Sequence, residues 1–135
     1  MNVLSLFNGI SCGRLALERA GVTIDNYFSS EIDQFCLQID SNNYPDNQQI
    51  GNVKNIQTDY LPKIDLLIGG SPCQGFSIAG KKLAFDDPRS ALFFEFVRIL
   101  DECTPKFFLL ENVTTTGFDI TFKNSSGTIF ARTFD

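Results

Sequence analysis

Asp65-Leu66-Leu67-Ile68-Gly69-Gly70-Ser71-Pro72-Cys73-Gln74-Gly75-Phe76-Ser77 decides how the rest of the chain is read. Ile64 to Ile68 is a short apolar run of the kind a buried strand requires, and Gly69-Gly70 is expected to end it. Ser71-Pro72 then makes a stiff turn, because proline fixes its own φ and biases the residue before it towards an extended conformation. Cys73 therefore stands just past the carboxyl end of a strand, where open α/β sheets bind ligands. The long stretch from Gly75 to Arg89, with Gly80, Lys81 and Lys82, suits a flap over a site. Taken singly, a free cysteine is most often a small buried hydrophobe. The flanking sequence must supply the reason to treat Cys73 differently.

Towards the amino terminus, Val3 to Phe7 predicts a first strand and Arg14 to Ala20 a helix with Leu15 and Leu17 inward, closed by Gly21. Asn8-Gly9-Ile10-Ser11-Cys12-Gly13 joins them. A strand, a glycine turn and a helix form the first half of a nucleotide-binding βαβ unit, in which the helix start offers unpaired N–H groups. A second strand ends at Glu31, an acid placed to accept hydrogen bonds from ribose hydroxyls. Asp33 to Asp40 reads as a helix with Phe35, Cys36 and Ile39 on one side. Asn42 to Asn47 is a turn-rich break, and Ile50 to Ile56 reads as a short third strand or strand-loop.

On the carboxyl side, Leu92, Phe93, Phe96, Val97 and Leu100 give Ser90–Cys103 one broad apolar helical face, ended by Pro105. Lys106 to Leu110 reads as a fully buried fifth strand followed by Glu111-Asn112-Val113. The order β-α-β-α-β-β-α-β predicts a mainly parallel sheet with helices on both faces.

Composition narrows the chemistry. The 135 residues are 43% hydrophobic and 13% aromatic, enough for one globular domain. Eleven Lys and Arg against 16 Asp and Glu give a net charge of −5, which weighs against gripping a phosphate backbone unaided. The absence of histidine rules out, within the chain, a Ser-His-Asp or Cys-His triad and any histidine-containing metal site. The four cysteines are far apart with no Cys-x-x-Cys pair, so neither a zinc cluster nor a disulfide framework is expected. No secretory segment and no bilayer-spanning run is evident, and a reducing cytoplasm that keeps thiols free is the expected compartment.

With Leu-Ser-Leu-Phe-x-Gly-Ile at the start, Glu31 after strand two, Gly-Gly-Ser-Pro-Cys-Gln after strand four, Arg-x-x-Leu-Phe-Phe-Glu-Phe in the helix and Glu-Asn-Val after strand five, the chain resembles the amino-terminal half of the DNA (cytosine-5) methyltransferases. The de novo type and the phage and bacterial relatives are the closest in wording. The resemblance covers Met1 to Val113. It implies the Rossmann-like class I methyltransferase fold, three layers around a mainly parallel sheet with its carboxyl-terminal part missing. It also implies S-adenosyl-L-methionine as cofactor and DNA as substrate.

Residue by residue, the resemblance implies that Phe7, Gly9, Ile10 and Ser11 line the cofactor site, with Glu31 on the ribose and Ile32 against the adenine. Asn52 stands where the family usually carries an acid that reads the adenine amino group. Pro72 and Leu92 would help hold cofactor and target base, and Ser71, Pro72, Gln74, Asn112 and Val113 would shape the substrate side. Cys73 would be the nucleophile and Glu111 the acid facing N3 of cytosine; no metal is implied. The chemistry suits the pair. Carbon 5 of cytosine becomes nucleophilic only after a thiolate adds to C6 while N3 is protonated.

Beyond Val113 the family's arginine-rich motif, target-recognition domain and final Asn-containing motif have no counterpart. Residues 1–113 are accordingly read as a truncated cofactor-binding and catalytic domain, and 114–135 as an atypical tail that forms a hairpin around Asn124-Ser125-Ser126-Gly127 or is disordered. The expected protein is a truncated or split methyltransferase of restriction-modification type. It would be cytoplasmic in a bacterial or phage-infected cell, or nuclear in a eukaryote, with weak DNA binding alone and a complementing carboxyl-terminal half as partner. The alternatives are a non-catalytic cofactor-binding remnant or subunit, and a nicotinamide-dependent oxidoreductase. The second gives no reason for Pro-Cys-Gln, and the turn is not Gly-x-Gly-x-x-Gly.

Overall fold

The computed structural model describes residues 1–72 and 90–111, together with the strands at 120–124 and 127–131. Five strands, β1 (Asn2–Leu6), β2 (Asn26–Ser30), β3 (Gln48–Gln49), β4 (Leu66–Gly70) and β5 (Phe107–Glu111), form one sheet in the order β3-β2-β1-β4-β5. Every pairing in it is parallel. Helices α1 (Cys12–Arg19), α2 (Gln34–Asn43) and α3 (Ser90–Cys103) connect them. The alternation and the α/β class are those the sequence predicts. A separate antiparallel pair, β6 (Ile120–Asn124) and β7 (Gly127–Ala131), brings Asn124 opposite Gly127.

Strand parity sorts the core into two layers. Leu4, Leu6, Phe28 and Leu67 point to one face, where Phe96, Ile99 and Leu100 of α3, Val53 of a short 3₁₀ segment and Ile56 just after it cover them. Phe96 and Ile99 are fully buried, each contributing about 1.5–3 kcal/mol of transfer free energy. Val3, Tyr27 and Ile68 point to the other face, against Leu17 of α1. The α2 side chain Asp40 reaches Ser29 on that same face.

Several expectations are corrected. Gly69 and Gly70 belong to β4 rather than ending it, because parallel pairing with β5 continues through Gly70↔Glu111. Strand β1 stops at Leu6, and Phe7 turns out of it at φ 55°. The third strand is Gln48–Gln49, ahead of the predicted 50–56 stretch, where Gly51 at φ 77° and the 3₁₀ turn Val53–Asn55 break extension. In α1 Arg14 is buried while Leu15 is exposed. In α2 Asp40 is buried while Phe35 and Ile39 are exposed, the reverse of the predicted apolar side. Finally, β5 is not fully buried. Phe108 and Leu110 pack on the α3 core, whereas Phe107 and Leu109 are 51% and 63% exposed on the opposite face.

Candidate active site at the carboxyl edge of the sheet

The parallel register sets the strand ends level. Leu6 lies opposite Ser30 on one side and Gly69 on the other, and Gly70 lies opposite Glu111. Consequently the Phe7–Ser11 turn, Glu31, Asn52, Ser71-Pro72 and Glu111 all emerge at one edge. Cys73, Gln74, Asn112 and Val113 lie outside the described residues, as does the predicted flap at 75–89.

The turn after β1 has an unusual backbone. Phe7, Gly9 and Ser11 have φ of 55°, 59° and 67°, a left-handed conformation that L-residues other than glycine adopt at a cost of about 1–2 kcal/mol. Asn8 N–H donates to the Ser30 carbonyl and ties the turn to β2. A side chain at Gly9 would meet nothing within 4 Å, so the backbone there is open to a ligand. Ile10 and, across the edge, Ile32 are exposed apolar side chains, while Phe7 and Leu92 pack on the α3 core. Ser11 is the N-cap of α1, yet its hydroxyl caps no N–H of the helix.

Glu31 is more deeply committed to the backbone than its sequence position suggests. One carboxylate oxygen accepts from Gly9 N–H at 2.8 Å; the other accepts from Ile32 and Asp33 N–H at 2.7 and 3.0 Å. It thereby bridges the glycine turn to the start of α2, which Asp33 caps by accepting from Phe35 and Cys36 N–H. Asn52 stands at the same edge with its Oδ1 accepting from Lys54 N–H at 3.0 Å, so the oxygen expected to read an amino group already caps a 3₁₀ turn.

At the β4 end the two glycines have separate reasons. A Cβ at Gly69 would come within 2.9 Å of the Leu6 carbonyl oxygen. A Cβ at Gly70 would come within 2.5 Å of Glu111 Oε2, which means that the Glu111 carboxylate folds back across the end of β4. It lies over the strand that runs directly into Ser71, Pro72 and Cys73. Ser71 is buried and its hydroxyl has no hydrogen-bond partner among the described residues, while Pro72 is exposed. A shallow concavity of about 180 Å³ lined by Thr58, Pro62, Ile64, Glu102 and Cys103 sits at the opposite, amino end of β4 and adjoins none of these groups.

Sequence patterning missed the polar layer beneath the turn. Arg14 Cζ lies 4.6 Å from the Tyr44 ring centroid and 5.6 Å from that of Tyr27, and the guanidinium pairs with Asp46 at 2.7 Å and Glu18 at 3.1 Å. Burial alone pulls the Arg14 pKa down, but its hydrogen bonds and charge pairing with Asp46 and Glu18 leave it raised. Burial pushes the Tyr27 phenol up to about 12, with the Asp40 charge adding to the rise. The available signal was weak: Arg14 and Asp40 break the apolar spacing of their helices.

Among the described residues no group of three or more His, Cys, Asp or Glu side chains is placed to hold a metal ion. No described helix is long and apolar enough to cross a membrane.

The model of the C-5 cytosine-specific DNA methylases matches residues 1–117. An orphan methyltransferase of Bacillus phage SPR is 43% identical over 115 residues, covering 84% of this chain and 26% of its own length. A type II methyltransferase of Lactococcus lactis subsp. cremoris is 46% identical over 111 residues, covering 82% and 28%. A solved DNA modification methyltransferase encoded within an E. coli prophage superposes with a TM-score of 0.68 at 35% identity, covering 84% and 32%. The chain thus spans between about a quarter and a third of the length of these relatives.

Proposed function

Because the chain belongs to the C-5 cytosine-specific DNA methylase family, we propose that it carries the cofactor and nucleophile portion of a DNA cytosine-5 methyltransferase. The observation that carries this is the Glu111 carboxylate lying over Gly70, three positions before Cys73 and level with the Phe7–Ser11 turn. S-adenosyl-L-methionine, when bound, supplies an electrophilic methyl group. The open backbone at Gly9, the exposed Ile10 and Ile32, and the Glu31 carboxylate fit such a nucleoside sulfonium. Phe7, Ser11, Asn52, Pro72 and Leu92 complete that side.

The residues divide the reaction as follows. Cys73 adds as thiolate to C6 of a cytosine drawn out of the helix, and the Glu111 carboxyl gives or shares a proton at N3. The pyrimidine electrons then localise on C5, which takes the methyl group. That transfer breaks the methyl–sulfonium bond and leaves a neutral thioether. Loss of the C5 proton to solvent, return of the N3 proton to Glu111 and expulsion of the Cys73 thiolate then restore the aromatic ring. Ser71, Gln74, Asn112 and Val113 shape the pocket for the base. With a charge of −5, DNA engagement is assigned to sequence outside the matched segment, such as a complementing carboxyl-terminal portion, in the cytoplasm of a bacterial or phage-infected cell.

The test is methyl transfer from labelled S-adenosylmethionine to DNA, by the chain alone and with a carboxyl-terminal portion of a relative added. Cofactor binding by the chain, with transfer only on complementation and none in Cys73→Ser, is the expected result. Transfer that survives Cys73→Ser overturns the mechanism. The same charge favours a second reading, a cofactor-binding subunit that transfers nothing itself. Calorimetric binding with no transfer under any complementation selects it.

A further inference from the structure

Asp40 is 1% exposed and sits on a helix whose apolar residues Phe35 and Ile39 face outward. A carboxylate that deep needs full hydrogen bonding to be tolerated, since an unsatisfied buried charge is among the costliest features a fold can contain. Asp40 has it. Oδ1 accepts from the Ser11 hydroxyl at 2.5 Å and from Asn47 Nδ2 at 2.5 Å; Oδ2 accepts from Gln49 Nε2 at 3.2 Å and from the Ser29 hydroxyl at 3.4 Å. Ser11 Oγ in turn accepts from Asn8 Nδ2 at 2.8 Å and Asn47 Nδ2 at 3.1 Å. Asn8 Oδ1 is held by the Tyr27 hydroxyl at 3.1 Å, and Asn47 Oδ1 by Arg14 Nη1.

Two consequences meet at Ser11. Its φ of 67° is one a serine does not adopt without compensation, and the compensation on view is the hydroxyl's bond to Asp40. That same bond takes the hydroxyl away from the helix-capping role a serine at this position usually fills. An apolar residue at position 40 would take the acceptor away from the Ser11 and Ser29 hydroxyls and the Asn47 and Gln49 amides, and would leave Ser11 free to relax.

We propose that Asp40 is a positioning residue of the cofactor turn: through Ser11 and Asn47 its buried carboxylate locks residues 8–11, left-handed at Gly9 and Ser11, in the shape that faces the methyl donor. The proposal rests on the reading of this turn as the S-adenosylmethionine site.

Asp40→Ala, Asp40→Asn and Ser11→Ala are compared with Ile99→Val, a core change on the opposite face of the sheet, chosen to lower Tm without touching the network. Amide hydrogen exchange across residues 8–13 and calorimetric titration with S-adenosylmethionine are read on each. Asp40→Ala is expected to strip protection from the 8–13 amides and to weaken cofactor binding about tenfold, the scale of losing a buried hydrogen-bond partner. Asp40→Asn, which keeps one acceptor, falls between Asp40→Ala and the native chain. Ser11→Ala reproduces the loss from the other end, and Ile99→Val moves neither readout. Unchanged protection in both Asp40 variants, or an equal affinity loss in Ile99→Val, overturns the proposal. If the native chain binds no S-adenosylmethionine, the cofactor reading falls, and exchange at 8–13 still decides whether Asp40 shapes the turn.

Discussion

Replacing Gly69 by alanine would put a methyl carbon 2.9 Å from the Leu6 carbonyl oxygen and 3.2 Å from both Leu6 Cβ and Phe96 Cδ2. None of these can step aside cheaply. Leu6 pairs with both β2 and β4, and Phe96 is fully enclosed by the α3 core. Overpacking of this sort costs about 1–3 kcal/mol, and the gain from removing a glycine from the unfolded chain returns roughly 0.5–1 kcal/mol. A net loss of about 1–2 kcal/mol follows, which for a domain of this size lowers Tm by roughly 5 °C. Gly70→Ala meets Glu111 Oε2 at 2.5 Å, but that atom is the far end of a flexible side chain that can rotate away. Its stability should change by less than about 1 kcal/mol. The carboxylate, however, is displaced, and a misplaced acid costs on the order of tenfold to a hundredfold in rate. Urea unfolding followed by far-ultraviolet circular dichroism suits a chain with no tryptophan, and the complemented transfer assay supplies the rate. The reasoning is refuted if Gly69→Ala is as stable as the native chain, or if Gly70→Ala transfers methyl groups at the native rate.

Asp33 accepts from two N–H groups at the start of α2, and its pKa is lowered, chiefly by the Cys36 N–H bond. With the folded value below the unfolded one, the stabilisation is present above the usual carboxylate range and is lost as pH falls through the folded pKa. Asp33→Ala should therefore lower Tm near neutrality, with the difference from the native chain closing in acid; a difference independent of pH refutes this. Burial pushes the Cys103 thiol up to about 11, so at pH 8 it should react with iodoacetamide far more slowly than the exposed Cys12, as peptide mass mapping over time would show. Its contribution to stability is complete below the unfolded thiol pKa and declines as pH rises towards the folded value. Phe107→Lys and Leu109→Lys alter side chains already more than half exposed on the outermost described strand, so Tm should hold within about 2 °C while self-association at high concentration falls. A large drop in Tm would mean that these side chains are covered.

The order of elements was legible because strand and helix periods differ and glycine punctuates both. The bounds of β4, β5 and α3 came within two residues of those observed because apolar runs and the helical period mark them, although β4 runs on through the glycines expected to end it. Side-chain facing was less legible. An apolar count turns α1 on Leu15 and Leu17 and α2 on Phe35 and Ile39, whereas the fold keeps Leu17 inward but replaces Leu15 by Arg14 and turns α2 on Asp40. Their burial is made tolerable by partners from other segments: Asp46 and Asn47 for the arginine, and Ser11, Ser29, Asn47 and Gln49 for the acid. Those partners are remote in sequence, so no local period announces them. Likewise Glu31 is recognisable as an acid at a strand end, but its bond to Gly9 N–H exists only once β1 and β2 lie side by side.

The central place of β1 also sets a sequence of events during synthesis. Its contact with the residue 2–26 neighbourhood closes a span of 24 positions and its contact with Asp65 a span of 63, a difference worth only roughly 0.8 kcal/mol of chain entropy. Time separates them more sharply. At ribosomal speed β4 follows β2 by a few seconds, which is at least on the order of ten-thousandfold longer than a small βαβ segment needs to collapse. The nascent chain can therefore shape the turn at 7–11 against β2 while the strand leading to the cysteine is still inside the ribosome.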